Sequence, residues 1–296
     1  MPIAYLTVGG HTRGYPLSIL ASHEVVNDVI EGLPVLATYC PLCNTALAFE
    51  RTVAGQTLDF GVSGLLRHAD LIMFDRQTES WWQQVTGEAI AGVFASMSLK
   101  PLAMSVLSYR DFAAAFPAAD ILTTDTGFSY RYDLSGYIGY DSASRPFAVS
   151  GELDPRLPAL ERVVALEIDG QALAVPFSAL RRVKVANIVL AAQAIAIFWS
   201  SGTVSVLDDV EIGEGRDVGS AVAFDPEVDG EVLSFEPVEN GVFRDRASGS
   251  LWDASGFAID GPLAGIRLSA LEHGNHFWFA WAAFYPGTAI WSDPRP

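Results

Sequence analysis

Short alternating runs organise this chain, and long amphipathic stretches are scarce. Pro2-Ile3-Ala4-Tyr5-Leu6-Thr7-Val8 alternates from the first residues and predicts a strand. Pro34–Tyr39 and Ala46–Phe49 are apolar runs of strand length, and Ala54-Gly55 marks a turn into Thr57-Leu58-Asp59-Phe60, whose period of two predicts a hairpin. Leu71–Phe74 and Glu88–Ala91 predict further strands around the polar Gln77-Thr78-Glu79-Ser80. Ser108-Tyr109-Arg110-Asp111 reads as a capped helix start with an acid in its first turn, ended by Pro117, and Phe277–Phe284 reads as its counterpart. The longest apolar stretch, Val185 to Trp199, is broken by Asn187 and Gln193 and is too short to span a bilayer, so it predicts a buried strand or core segment.

The pattern is written twice. Tyr15-Pro16-Leu17-Ser18-Ile19-Leu20 returns as Val175-Pro176-Phe177-Ser178-Ala179-Leu180, and Val53–Phe60 returns as Val228–Phe235. Phe74-Asp75-Arg76 with Ser80, Trp82, Gly87 and Ala89 recurs as Arg244-Asp245-Arg246 with Ser250, Trp252, Gly256 and Ala258; Phe116-Pro117 matches Tyr285-Pro286. Four blocks in one order predict an internal duplication: a β unit over 1–125, a Gly-, Ser- and Tyr-rich connector over 126–160, and a duplicate unit over 161–296. The expected fold is mainly β with short helices (α+β), each unit a small barrel or sandwich.

Composition narrows the partners. Eighteen basic residues against thirty-five acidic ones give a formal net charge of -17, which repels phosphate backbones, so nucleic acid is not expected as a partner. No membrane span is expected. The first residues lack the basic start and long apolar core of a signal peptide, which predicts a cytoplasmic address.

Chemistry concentrates in Thr38-Tyr39-Cys40-Pro41-Leu42-Cys43-Asn44-Thr45, which holds the only two cysteines of the 296 residues at C-x-x-C spacing. Such a pair makes either a redox couple or half of a soft-metal site. His23 precedes the cysteines by one expected strand, so His23, Cys40 and Cys43 form a candidate site for copper or zinc, with His68, His276, His273 and His11 as candidates for a fourth ligand. His68 lies in Leu65–Asp70, within a few residues that the second copy lacks, and so could overhang the site. Glu24 is a candidate proton carrier, and Glu24, Cys40 and Cys43 are the candidate catalytic set. In the second copy Cys40 aligns with Phe198, Cys43 with Ser201 and His23 with Val183, so the ligand set belongs to the first copy alone.

Three functions follow from these residues. The first is a metalloenzyme of the oxidoreductase type, using a small-molecule substrate or electron donor. A dithiol oxidoreductase is the second, although flanking strands predict a tight turn rather than the helix N-terminus that lowers a thiol pKa. The third is a binding module whose aromatic residues line a groove between the halves. There is no phosphate-cradling glycine loop, G-x-S-x-G or H-E-x-x-H.

The motif order resembles a known family. Tyr15–Leu20, His23–Asp28, Thr38–Thr45, Asp70–Trp82, Gly87–Gly92, Gly215–Gly219 and His276–Phe284 are similar to the bacterial and archaeal family catalogued as domain of unknown function 3179. The resemblance implies no assigned activity. It places the family's His-Glu and C-x-x-C elements at His23, Glu24, Cys40 and Cys43, and it implies an extracytoplasmic alternative, because many members begin with export or lipoprotein signals.

Overall fold

A computed structural model describes residues 1–149 and 151–293. Its alternating runs become strands, and among the described residues the α-helices are four short pieces: α1 (Leu17–His23), α2 (Tyr109–Ala115), α3 (Phe177–Val183) and α4 (Trp278–Phe284). Ser108 caps α2 as expected, its hydroxyl accepting from the Asp111 backbone N–H at 3.1 Å. The fold is mainly β.

Two series of sheets share the same strand orders. The first series opens with Ser105–Ser108, Pro2–Val8, His11–Pro16 and Asp120–Ile121 side by side; the second opens with Gly274–Phe277, Arg162–Ile168, Gln171–Pro176 and Ala289–Ile290. In each, the outermost short strand is parallel and the rest are antiparallel. Lys100–Leu102, Thr45–Glu50, Leu33–Cys40 and Val25–Ile30 form the next sheet, matched by Ser269–Ala270, Ser220–Asp225, Gln193–Ser200 and Val185–Leu190. A third matched pair joins Phe60–Arg67, Asp70–Asp75, Trp81–Gln83 and Ala89–Ala91 with Phe235–Pro237, Phe243–Asp245, Leu251–Trp252 and Ala258–Asp260. Every one of these sheets ends in two edge strands, so none closes into the small barrel expected from the sequence.

Polar knots repeat down to atoms. Trp82 Nε1 donates to Asp75 Oδ2 at 3.0 Å, and Trp252 Nε1 donates to Asp245 Oδ2 at 3.0 Å. Thr78 and Ser248 give both backbone N–H and hydroxyl to the same two carboxylates. Asn27 clasps the backbone of Phe60 through its side-chain amide, as Asn187 clasps Phe235. Gly92 and Gly261 press on the Cα of Ser80 and Ser250, where an added Cβ would stand 2.6 and 2.7 Å away.

The register corrects two pairings expected from sequence. Val25 faces Thr38 and Val185 faces Phe198, while Tyr39 and Trp199 donate to the carbonyls of Glu24 and Lys184. Phe198 is therefore the counterpart of Thr38, and Ser200 is that of Cys40. Cys43 lies in a tight connection for which the second series has the long loop 201–219. Val185 to Trp199, read from sequence as one segment, is two strands folded at Ala191-Ala192, both with positive φ (49° and 66°) and without the glycine that would have marked the turn.

The halves interlock. Ile3 and Tyr5 on one face of the first strand join a core containing Phe198, Phe224 and Trp252, whereas Ala4 and Leu6 on the other face join a core with Tyr39, Cys40 and Trp82. The connector lies against this second core through Tyr137, Tyr140 and Leu153, and loop 201–219 through Val206, Leu207 and Ile212. Asp141, fully buried, fastens connector to loop by accepting from Arg162 at 2.8 Å, Arg216 at 2.7 Å and Ser205 at 2.6 Å. No helix among the described residues is long and apolar enough to cross a membrane.

Candidate metal centre

Two strands bring the cysteines together. Cys40 ends Leu33–Cys40, Thr45 starts the partner strand directly opposite, and Pro41–Asn44 turn between them, with the Asn44 N–H bonded to the Pro41 carbonyl. Asn44 has φ 52°, a left-handed value that asparagine tolerates better than most residues. The expected tight turn is present, and neither cysteine stands at a helix N-terminus.

The segment expected to overhang the cysteines does so, with different chemistry. Phe60–Arg67 and Asp70–Asp75 form a hairpin whose two turn residues, His68 and Ala69, both have positive φ (54° and 63°). Neither is glycine, so this turn costs about 1–2 kcal/mol per residue relative to one that relieves the Cβ clash. The tip lays the Ala69 carbonyl over both thiols, accepting from Cys43 Sγ at 3.2 Å and from Cys40 Sγ at 3.8 Å. Asp70 comes with it. Both sulfurs and an Asp70 carboxylate oxygen lie within 4.8 Å of one another, and all three residues are buried.

Asp70 is held on one side only. Its Oδ2 accepts from Gln83 Nε2 at 2.5 Å and from the Val85 N–H at 3.0 Å, while its buried Oδ1 has no hydrogen-bond partner. Stripping water from an ionised oxygen without a replacement is costly, and burial accordingly pushes the Asp70 carboxyl up to about 7. Burial also drives the Cys43 thiol well above its ordinary value, with Cys40 and Asp70 adding to the effect. Asp70 and Cys43 thus both hold their protons more tightly than ordinary groups of their kind. A cation at the centre would reverse that balance.

The three side chains suit a metal ion. An ion at 2.0–2.3 Å from each would separate tetrahedral ligands by roughly 3.3–3.8 Å, so three donor atoms within 4.8 Å of one another need close by no more than about 1.5 Å to complete the cage. The donor set differs from the expected one. His23, at the end of α1, turns its Nε2 to the Tyr132 hydroxyl at 2.6 Å and sits among Phe128, Tyr130 and Tyr132 of the connector. His68 is exposed at the hairpin tip, edge-on to Phe284. His276 is buried, with Nδ1 2.8 Å from Thr45 Oγ1; its neighbour Phe277 donates its N–H to the Cys43 carbonyl at 2.8 Å, so the strand reaches the motif while the imidazole faces elsewhere. His273 bonds the Leu271 carbonyl, and exposed His11 pairs with Glu31. Among the described residues no histidine joins the sulfurs.

Glu24 is half-buried in a left-handed conformation (φ 59°) at the end of α1, and burial raises its carboxyl pKa. Burial also raises Tyr137 to about 12, with Glu24 and Cys40 contributing. From sequence, Asp70 stands only as the last residue of the Leu65–Asp70 segment that carries His68. Its side chain gave no separate signal.

No curated protein and no solved structure matches the chain. A family model does match, over residues 1–288, and its description is a protein of unknown function. With the cysteine turn, the overhanging hairpin and the paired Asp–Trp knots all inside that span, the chain belongs to the DUF3179 family.

Proposed function

We propose that the protein binds a zinc ion through Cys40, Cys43 and Asp70, with a fourth position left for a small-molecule ligand. The observation that carries this reading is the buried, unpartnered Oδ1 of Asp70 beside two thiols. Zinc and copper(I) both take thiolates, but a carboxylate is a hard donor that zinc accepts readily and copper(I) disfavours. Three protein ligands plus one exchangeable position is the arrangement of catalytic rather than structural zinc. Binding releases the protons of Asp70 and of the raised Cys43 thiol, so affinity rises with pH through about 7 and goes on rising above it. The matched sheets and knots support the reading of 1–125 and 161–296 as copies of one ancestral unit, only the first of which carries the ligands.

The test is elemental analysis of protein purified without chelator. About one zinc per chain is expected, falling to background in Cys40→Ser, Cys43→Ser and Asp70→Asn, with Ser200→Ala unchanged. Metal content equal in the wild type and the Cys40→Ser variant would refute the reading.

A second reading is favoured by the proximity of Asp70 to Cys43. Acting as general base, Asp70 can take the Cys43 proton as its sulfur attacks a disulfide oxidant and expels one thiol; Cys40 then displaces the second thiol, so the two protein thiols become the Cys40–Cys43 disulfide while the oxidant is reduced to two thiols. Reversible loss of two titratable thiols under a glutathione disulfide gradient, in protein stripped of metal, distinguishes it.

A further inference from the structure

The neighbourhoods of α2 and α4 are matched in backbone and opposite in packing. Registers set Leu107 against His276, and the helices that follow set Phe112 against Trp281 and Phe116 against Tyr285. Around α2 the chain fills its own space. The Tyr5 ring lies 5.6 Å from Phe112 and 5.1 Å from Phe116, and the Arg267 guanidinium sits 4.4 Å from the centre of Phe116, donating to Ser255 Oγ at 2.6 Å and to the Ala115 carbonyl at 3.2 Å. An aromatic ring and a cation close that gap.

Around α4 both fillers are missing. The position of Tyr5 is held by Ala165, and that of Arg267 by Ser98, as the paired bridges Phe257–Arg267 and Glu88–Ser98 establish. What remains is a cavity of about 200 Å³ between the halves, lined among others by Ala165, Glu272, His273, His276, Trp281 and Tyr285. Its aromatic wall is continuous: His276 lies 5.1 Å from Trp281, which stacks on Tyr285 at 3.9 Å. Hydrogen bonds fix the imidazoles. The Thr45 hydroxyl donates to the Cys43 carbonyl, so His276 Nδ1–H donates to Thr45; His273 Nδ1–H donates to the Leu271 carbonyl. Each ring therefore keeps its Nε2 lone pair as an acceptor. Glu272 and Glu167 add carboxylates at the rim, and Lys100, which faces Glu272, is bound to Glu50 at 2.6 Å.

We propose that this cleft binds a small aromatic amine in its cationic form, supplying from outside the ring and positive charge that Tyr5 and Arg267 supply from within on the other side. Aromatic faces attract organic cations, the Nε2 lone pairs accept N–H donors, and the rim carboxylates complete the charge. A cavity of roughly 150 Å³ accepts benzene, so this one accommodates a ring with a short ammonium arm. The inference is independent of the metal reading.

Calorimetric titration of the full chain with tyramine tests it, with tyrosol as the uncharged analogue. One saturable tyramine site is expected, with tyrosol weaker by at least about tenfold. Ser98→Arg, an exposed position whose new side chain supplies the cation internally, and His276→Leu, which copies Leu107, should each weaken tyramine by about tenfold or more. Absence of saturable tyramine binding, equal affinity for tyrosol, or undiminished binding by folded Ser98→Arg overturns the proposal.

Discussion

Two hairpins built on one plan show where the halves part company. In the second half, Phe235–Pro237 and Phe243–Asp245 are joined through Asn240-Gly241, both at positive φ, a residue pair suited to such a turn. Gly241 comes close to Ser200, the counterpart of Cys40, and the space around them is a cavity of about 360 Å³. In the first half the hairpin is longer, its turn is the poorly suited His68-Ala69, and its tip closes over Cys40 and Cys43 with a carbonyl and a half-satisfied carboxylate. Where both halves share a polar cluster, its carboxylate is fully met; where one half departs, strain and an unpaired oxygen accumulate together. Strain that no local benefit explains points to a site.

The largest effect that would break this comparison lies at Asp70. Its folded pKa, about 7, exceeds the ordinary 3.8, so between those values the folded metal-free protein holds a proton that the unfolded chain has lost. Unfolding free energy in chelator should therefore decline as pH rises from about 4 to 7 and then level off. Asp70→Asn should flatten that part of the profile in urea denaturation and abolish zinc retention; a profile unchanged by the substitution would remove Asp70 from the site.

Next in size are the shared knots. Trp82→Phe and Trp252→Phe each strip one indole donor from a buried carboxylate and should each cost about 1–3 kcal/mol. Costs that differ severalfold would mean that the matched geometry hides unequal roles. The smallest change is Ala69→Gly, which relieves a left-handed alanine and should stabilise the metal-free protein by about 1 kcal/mol in thermal or chemical unfolding. Destabilisation instead would show that the Ala69 methyl, buried in the core, contributes more than the strain removes.

Much of this fold was legible because alternation and capping are local signals. Ser108 and Asp111 announce α2, and the strands beside Cys40 and Cys43 follow from apolar runs. The turn at Ala191-Ala192 was hidden, since alanine carries no mark of positive φ, and the counterpart of Cys40 slipped by two residues because apolar runs align almost equally well at either register. At the site, C-x-x-C spacing identified the sulfurs. Histidine was the reasonable third donor by residue type, yet connector aromatics and Thr45 engage His23 and His276, contacts between residues far apart in sequence. Asp70 enters through a hairpin tip, and only the pairing of Arg67 with Asp70 fixes where that tip falls.

The first strand, one face in each of two cores, makes the halves mutually dependent during folding. A gene severed within the connector would yield fragments that each expose what the other should cover, Ile3 and Tyr5 on one and the Phe198 surroundings on the other. Such fragments should aggregate when produced alone and regain solubility when co-expressed, the behaviour of a split reporter rather than of two beads on a string.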